Sequence, residues 1–196
     1  MKKLTLITTM ALAAFTFQAC NNTGNKDTVE TADSVNAEMD TTTSAVEETG
    51  AGVAEFDAKF AVDAANGGMA EVALGNLAQQ KASNAEVKKF AEMMVKDHTK
   101  ANEELKALAT AKNITLPAAP GDEQQKKAAE LGEKAGAEFD KAYAEAMVKD
   151  HDKTVSMFED AANNAVDADI KAFATKTLPV LKAHQQHAKA LNDKLK

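Results

Sequence analysis

From Phe56 to the C-terminus, apolar residues return every three or four positions in four long runs, and almost nothing in those runs favours a sheet. That period is the repeat of an amphipathic α-helix. Trp is absent, there is one Tyr, and the chain holds only 3 Pro and 9 Gly. Ala, Lys, Glu and Asp dominate, which is helix-forming material. The spacing predicts helices over about 56–82, 84–112, 136–163 and 168–194, with a shorter one at about 122–134. The first carries Phe60, Ala64, Gly67, Glu71, Leu74 and Ala78 on its stripe, interrupted by Asn66-Gly67-Gly68. Those glycines mark either a kink or the close approach of a neighbouring helix. Asp167 is placed to cap the last helix, and Pro179 inside that helix is expected to kink it.

The linkers set the topology. The first and second long helices are joined tightly, as are the third and fourth. Between the pairs, Asn113-Ile-Thr-Leu-Pro-Ala-Ala-Pro-Gly121 breaks the pattern twice with proline, and Gly132 and Gly136 follow the short helix. Two hairpins and one long connection describe an all-α, ferritin-like four-helix bundle with a long crossover containing a short extra helix.

Each of the four stripes holds one metal-capable side chain: Glu71, His98, His151 and His184. Glu71 and His98 stand at similar distances from the turn near 83. His151 and His184 are offset by about five residues about the turn near 165, roughly 7–8 Å of rise. Three imidazoles and one carboxylate at one level would suit a single Zn, Fe or Cu ion. The alternative is a layer of buried polar groups that hydrogen-bond one another within a structural core. Asp97 and Asp150 adjoin two of the histidines and are read as facing solvent or bonding a neighbouring helix. His187 is read as an outer partner of the cluster or a surface residue. Met94 and Met147 read as core filler, and Tyr143 as a core aromatic. The run MVKDH occurs at 94–98 and again at 147–151, which points to an internal duplication of two hairpins.

Residues 1–19 carry an export signature: Lys2 and Lys3, then an apolar stretch from Leu4 to Phe17 too short to span a bilayer, then Ala19 before Cys20. This resembles a bacterial lipobox in which Cys20 becomes the acylated first residue. Phe17 and Gln18 depart from that pattern. Residues 20–55 are polar and acidic, so they read as a disordered tether, on the order of 30 Å long, before the bundle at 56–196. The expected location is the cell envelope, lipid-anchored, at the outer membrane facing the periplasm. The membrane, through the anchor, is one expected partner. A protein partner and a homodimer are left open. The net charge of -7 argues against nucleic acid. No nucleophile constellation, phosphate-binding loop or cofactor fingerprint is present, so an enzyme is the least supported class.

Four motifs in order, AANGGMAEVALGNLAQQKASN (64–84), VKKFAEMMVKDHTKANEELKALA (87–109), FDKAYAEAMVKDH (139–151) and TLPVLKAHQQHAKAL (177–191), closely resemble the bacterial family called domain of unknown function 4142. The resemblance implies an exported ferritin-like fold and leaves activity open. A di-iron oxidase would need Glu three residues before its histidines. Val95, Val148 and Leu181 stand there instead, so iron oxidation is not expected.

Overall fold

The computed structural model describes residues 27–43 and 53–196. The export signal, Cys20 and residues 21–26 and 44–52 of the expected tether lie outside them. The described chain is all-helical: α1 (Thr28–Thr43), α2 (Glu55–Lys81), α3 (Ala85–Ala111), α4 (Asp122–Gly132), α5 (Gly136–Asn164) and α6 (Ala168–Lys194). Among these residues no helix is long and apolar enough to cross a membrane.

Helices α2 and α3 form one hairpin and α5 and α6 the other. The hairpins meet through α2 against α5 and α3 against α6, which leaves α3 and α5 across the diagonal. An up-down-up-down bundle would put its second and third long helices side by side. One long crossover separates them, as here.

Two buried carboxylates fix the ends of this square. Asp140, near the start of α5, accepts the backbone N–H groups of Ser83 (3.0 Å) and Asn84 (2.9 Å), together with the Ser83 hydroxyl. Asp57, near the start of α2, accepts from the N–H groups of Val166 (3.1 Å) and Asp167 (2.6 Å). Each hairpin therefore holds the turn of the other. The flanking sequences match, Phe56-Asp57-Ala-Lys-Phe60 and Phe139-Asp140-Lys-Ala-Tyr143, and this is the pair that relates the two hairpins. The MVKDH run does not: its copies fall on α3 and α5, the second helix of one hairpin and the first of the other. Asn84 and Asp167, the residues so held, are themselves N-caps. Asn84 accepts from Glu86 N, and Asp167 from Asp169 N and Ile170 N.

Helix α3 ends with Asn113 in the left-handed region (φ 56°). Ile114 N donates to Ala109 O (2.8 Å) and Asn113 N to Thr110 O (3.3 Å), the paired bonds of a Schellman cap. Ile114 and Ala109 are buried in the same apolar cluster. Helix α2 runs through its glycines without interruption. At Gly68 the side chain of Asn102 occupies the space a Cβ would need, and at Gly75 Val95 does so. Close approach of α3 is therefore what these two glycines permit.

The expected disordered tether contains α1, and this is a correction. Composition argued against order because α1 has few apolar groups to bury. It is held by backbone hydrogen bonds instead. Asn36 pairs with both the N–H (2.8 Å) and the carbonyl (3.0 Å) of Thr115 in the crossover. Asp27 accepts from Val29 N at the start of α1 and from Asp122 N at the start of α4, both at 2.9 Å. Ala32 is the contact that packs α1 down, at 1% exposure.

Asp140→Ala leaves the amide donors of the α2–α3 turn without their acceptor. The expected loss is about 3 kcal/mol, or roughly 6–12 °C in Tm for a chain of this size. Thermal denaturation of the purified variant measures it. A loss under about 1 kcal/mol would remove Asp140 from that role.

Candidate metal centre

The core falls into two apolar clusters. One, built around Phe60, Phe158, Ile170 and Phe173, fills the end where α2 begins. The other, built around Leu74, Phe90, Tyr143, Met147 and Leu191, fills the end where α2 finishes. Between them lie Glu71, His98, His151 and His184, all buried. Their neighbours along each helix are apolar, so the stripe that drives helix packing carries these side chains inside with it.

The three imidazoles surround one another. Ring centroids are 5.7 Å apart for His98 and His151, 5.4 Å for His98 and His184, and 5.7 Å for His151 and His184. One ring nitrogen of each lies within 4.8 Å of the other two. The five-residue offset shrinks because residues 165–167 are not helical. His151 is 13 residues from the end of α5 (164 − 151) and His184 is 16 from the start of α6 (184 − 168). Three residues of rise, roughly 4.5 Å, are within side-chain reach.

The outer nitrogens are anchored. His151 Nδ1 lies 2.9 Å from the carbonyl oxygen of Met147, which can only accept, so this nitrogen carries the proton. His184 Nε2 lies 3.0 Å from Asp97 Oδ2 and donates to it in the same way. The opposite nitrogens, His151 Nε2 and His184 Nδ1, are then bare lone pairs. Both are buried without a hydrogen-bond partner, and so is His98 Nε2.

Glu71 stands apart from the three nitrogens. Its Oε1 is 3.7 Å from His151 Nδ1, the nitrogen already bonded to Met147. From α2 the carboxyl reaches the His151 ring, on the neighbouring α5, and borders the same small cavity as His98. Its other oxygen, Oε2, is buried and unpartnered. Of the four side chains singled out in the sequence, the structure thus gathers three, and the fourth contacts one of them without joining the set.

The neighbouring residues sort as follows. Asp97 bonds a neighbouring helix through His184, one of its two expected roles. Asp150 does so through Lys127 of α4, at 2.7 Å. His187 is exposed and packs its ring on Phe90, with centroids 5.0 Å apart, outside the cluster. Met94 and Met147 are fully buried within the second apolar cluster. The role of Asp97 as the anchor of His184 was not assigned from sequence. Its position next to His98 on one helix says nothing about α6, which only the tertiary packing brings alongside.

Burial sets the charge state. It lowers His98 from an ordinary 6.5 to about 3, with His151 and His184 pushing the same way. Burial lowers His151 to about 4, against the opposing hydrogen bond to Met147. It also lowers His184, against the pull of Asp97. All three rings are neutral at pH 7. Burial raises Glu71 to about 8, helped by Asp150 and opposed by Lys127, so its carboxyl holds a proton there.

A family model described as a domain of unknown function, DUF4142, matches residues 41–191. The chain belongs to that family. Its matched region spans all four long helices and the end of α1. Among solved structures, this DUF4142 chain is similar to CopM in the Cu(II)-bound form, with a TM-score of 0.61 at 18% identity, over 71% of this chain and 97% of that one. At such identity the likeness speaks to the fold. No curated protein sequence matches the chain.

The charge states give a pH prediction for the metal-free protein. Unfolded imidazoles take up protons below about pH 6.5, while the buried ones resist until far lower pH. Their contribution to stability is complete above 6.5 and is lost as pH falls toward 4. Glu71 runs the other way: its contribution is complete below 4.5 and is lost as pH rises through 8. Tm should therefore fall steeply below pH 6.5. His98→Gln should flatten that fall by up to about 1.4 kcal/mol per pH unit. Parallel Tm–pH curves for the two proteins would show that His98 is not buried neutral.

Proposed function

We propose that this protein binds one transition-metal ion between α3, α5 and α6 through His98, His151 and His184, and that it does so as a lipid-anchored envelope protein without turnover of its own. The observation that carries the reading is the set of three buried, unpartnered ring nitrogens. Two are bare lone pairs, fixed as such by Met147 and Asp97. Acceptors turned toward one another in an apolar core repel unless a cation or a donor lies between them. A hydrogen-bonded structural layer would instead join these nitrogens to each other, and none is so joined.

The donor set fits the group. Neutral imidazole suits zinc, copper and iron, and no thiolate is present. Three atoms at most 4.8 Å apart always leave a point within about 2.8 Å of all of them, and metal–nitrogen bonds are about 2.0–2.1 Å. An inward shift of roughly 0.7 Å per ring closes the difference, within the reach of small side-chain rotations. Behind the ligands, Asp97 orients His184, and Met147 and Glu71 flank the outer nitrogen of His151. Such outer groups fix tautomer and raise ligand basicity. CopM, similar in fold, has a Cu(II)-bound form, so copper belongs in the test beside zinc.

Protein purified without chelator or affinity tag should carry up to one metal ion per chain by elemental analysis. Titration of metal-free protein with Zn(II), Cu(II) or Co(II) should saturate at one equivalent. His98→Ala should weaken binding by at least about 100-fold, since it removes one of three ligands. Stoichiometric binding that survives in His98→Ala, His151→Ala and His184→Ala alike would place the metal elsewhere. A chain that takes up no metal would overturn the metal-binding reading and leave the layer a structural role in the core.

The anchor is tested separately. Cys20→Ser, expressed in a bacterium that processes lipoproteins, should move the protein from the membrane fraction to the soluble periplasmic extract. Retention in the membrane fraction would rule out acylation at Cys20 as the attachment.

A further inference from the structure

We infer that metal ions reach the three-histidine centre through a side portal between α2 and α5, at Gly67 and Glu71, and not through either end of the bundle. This rests on the metal-binding reading above. Two cavities carry the inference. The outer one, about 350 Å³, opens beside Asp63, Asn66, Gln124, Asp150 and Lys153. The inner one, about 30 Å³, lies among mainly apolar residues with Asn102, Thr154 and Thr177, and reaches the histidine layer at His98. Gly67, Glu71, Thr154 and Met157 line both, so these four form the wall between surface and core.

That wall is thin where a side chain is missing. A Cβ at Gly67 would meet nothing within 4 Å, unlike one at Gly68, which would run into Asn102. The two adjacent glycines therefore do different work. Gly68 admits a neighbouring helix and Gly67 leaves space. Glu71, one helical turn further on, sets a 95% buried carboxyl at the same wall, with its Oε2 unpartnered. It is the one carboxyl among the four residues that line both cavities, and it lies against the ring of His151. The bundle ends offer no comparable path, because an apolar cluster fills each side of the histidine layer.

The size of the inner cavity selects what passes. It has room for about one water molecule, so an ion arriving by this route must shed nearly all of its hydration shell. Glu71 offers a replacement oxygen at that step. Ions that dehydrate reluctantly, such as Mg²⁺, are held back on these grounds.

The test uses stopped-flow uptake of Co(II) and Zn(II) by metal-free full-length protein, with equilibrium titration alongside. Gly67→Leu fills the opening with a residue that favours helix. It should slow association and dissociation together by at least tenfold, with the dissociation constant unchanged within threefold. Glu71→Gln should slow association without closing the opening. Gly132→Leu, on α4 and equally open, is the control for added bulk and should match the wild type. Wild-type rates in Gly67→Leu overturn the portal while leaving the metal centre standing. Weakened equilibrium binding with unchanged association also overturns it, since Gly67 would then shape the site and not the path. Absence of metal binding by the wild type overturns the reading beneath.

Discussion

Three imidazoles and a carboxyl held between two apolar clusters constrain this bundle more than any single packing contact. Apolar helices can slide by a turn and still bury similar area. Polar side chains that must share one level cannot. His151 depends on the carbonyl of Met147 in its own helix, but His184 depends on Asp97 of α3, so α3 and α6 have a fixed register. Asp57 and Asp140 fix the ends of the hairpins in the same manner. Buried polar groups of this kind cost stability when unpaired and restrict the fold to one arrangement when paired.

Small residues make such an arrangement feasible. Ala dominates the buried face of α2, and Gly68 and Gly75 bring α3 close enough for Asn102 and Val95 to sit directly on the backbone. A tight α2–α3 pair leaves α2 without bulky groups at the level of the histidines. Space that a Leu or Phe would occupy is then open for imidazoles from the other three helices, and for the cavity beside His98. The positions three residues before the histidines serve packing as well. Val95 rests on Gly75, Leu181 is buried, and Val148 packs on the second cluster. None supplies a carboxylate, so the layer lacks the donor set of a di-iron centre.

Much of this was legible in the sequence because it follows from period and chain punctuation. The four stripes, the two tight turns, the proline-broken crossover and the Asp167 cap each report on local geometry, and each is found where the spacing places it. The histidines were legible because an ionisable residue on an apolar stripe must go inside with its neighbours. What escaped was anything decided by long-range pairing. Asp57 and Asp140 cap turns more than fifty residues away, and nothing near them in sequence marks the target. Helix α1 is ordered by Asn36 and Asp27 bonding the crossover backbone, a signal that hydropathy does not register. The MVKDH repeat misled for a related reason: identity of sequence does not say which helices correspond, and here the copies lie across the diagonal.

Charge compensation explains why the carboxylates stand where they do. A dication held by three neutral imidazoles in an apolar setting would keep its full net charge, because the ring nitrogens coordinate it without neutralising it. Direct carboxylate ligands would offset it but would also lie unpaired and charged in the core whenever the metal was absent. Here the acidic groups sit one ring further out. Asp97 is one-third exposed and stays solvated while it bonds His184. Glu71 is buried and keeps a proton at pH 7, so it is neutral when nothing is bound. Both contact a ring of the histidine layer: Asp97 bonds His184, and Glu71, which would carry charge only after releasing its proton, lies against His151. The metal-free core is therefore electrically neutral at its centre, and under the proposed reading Asp97 and Glu71 would be the groups that balance a bound cation.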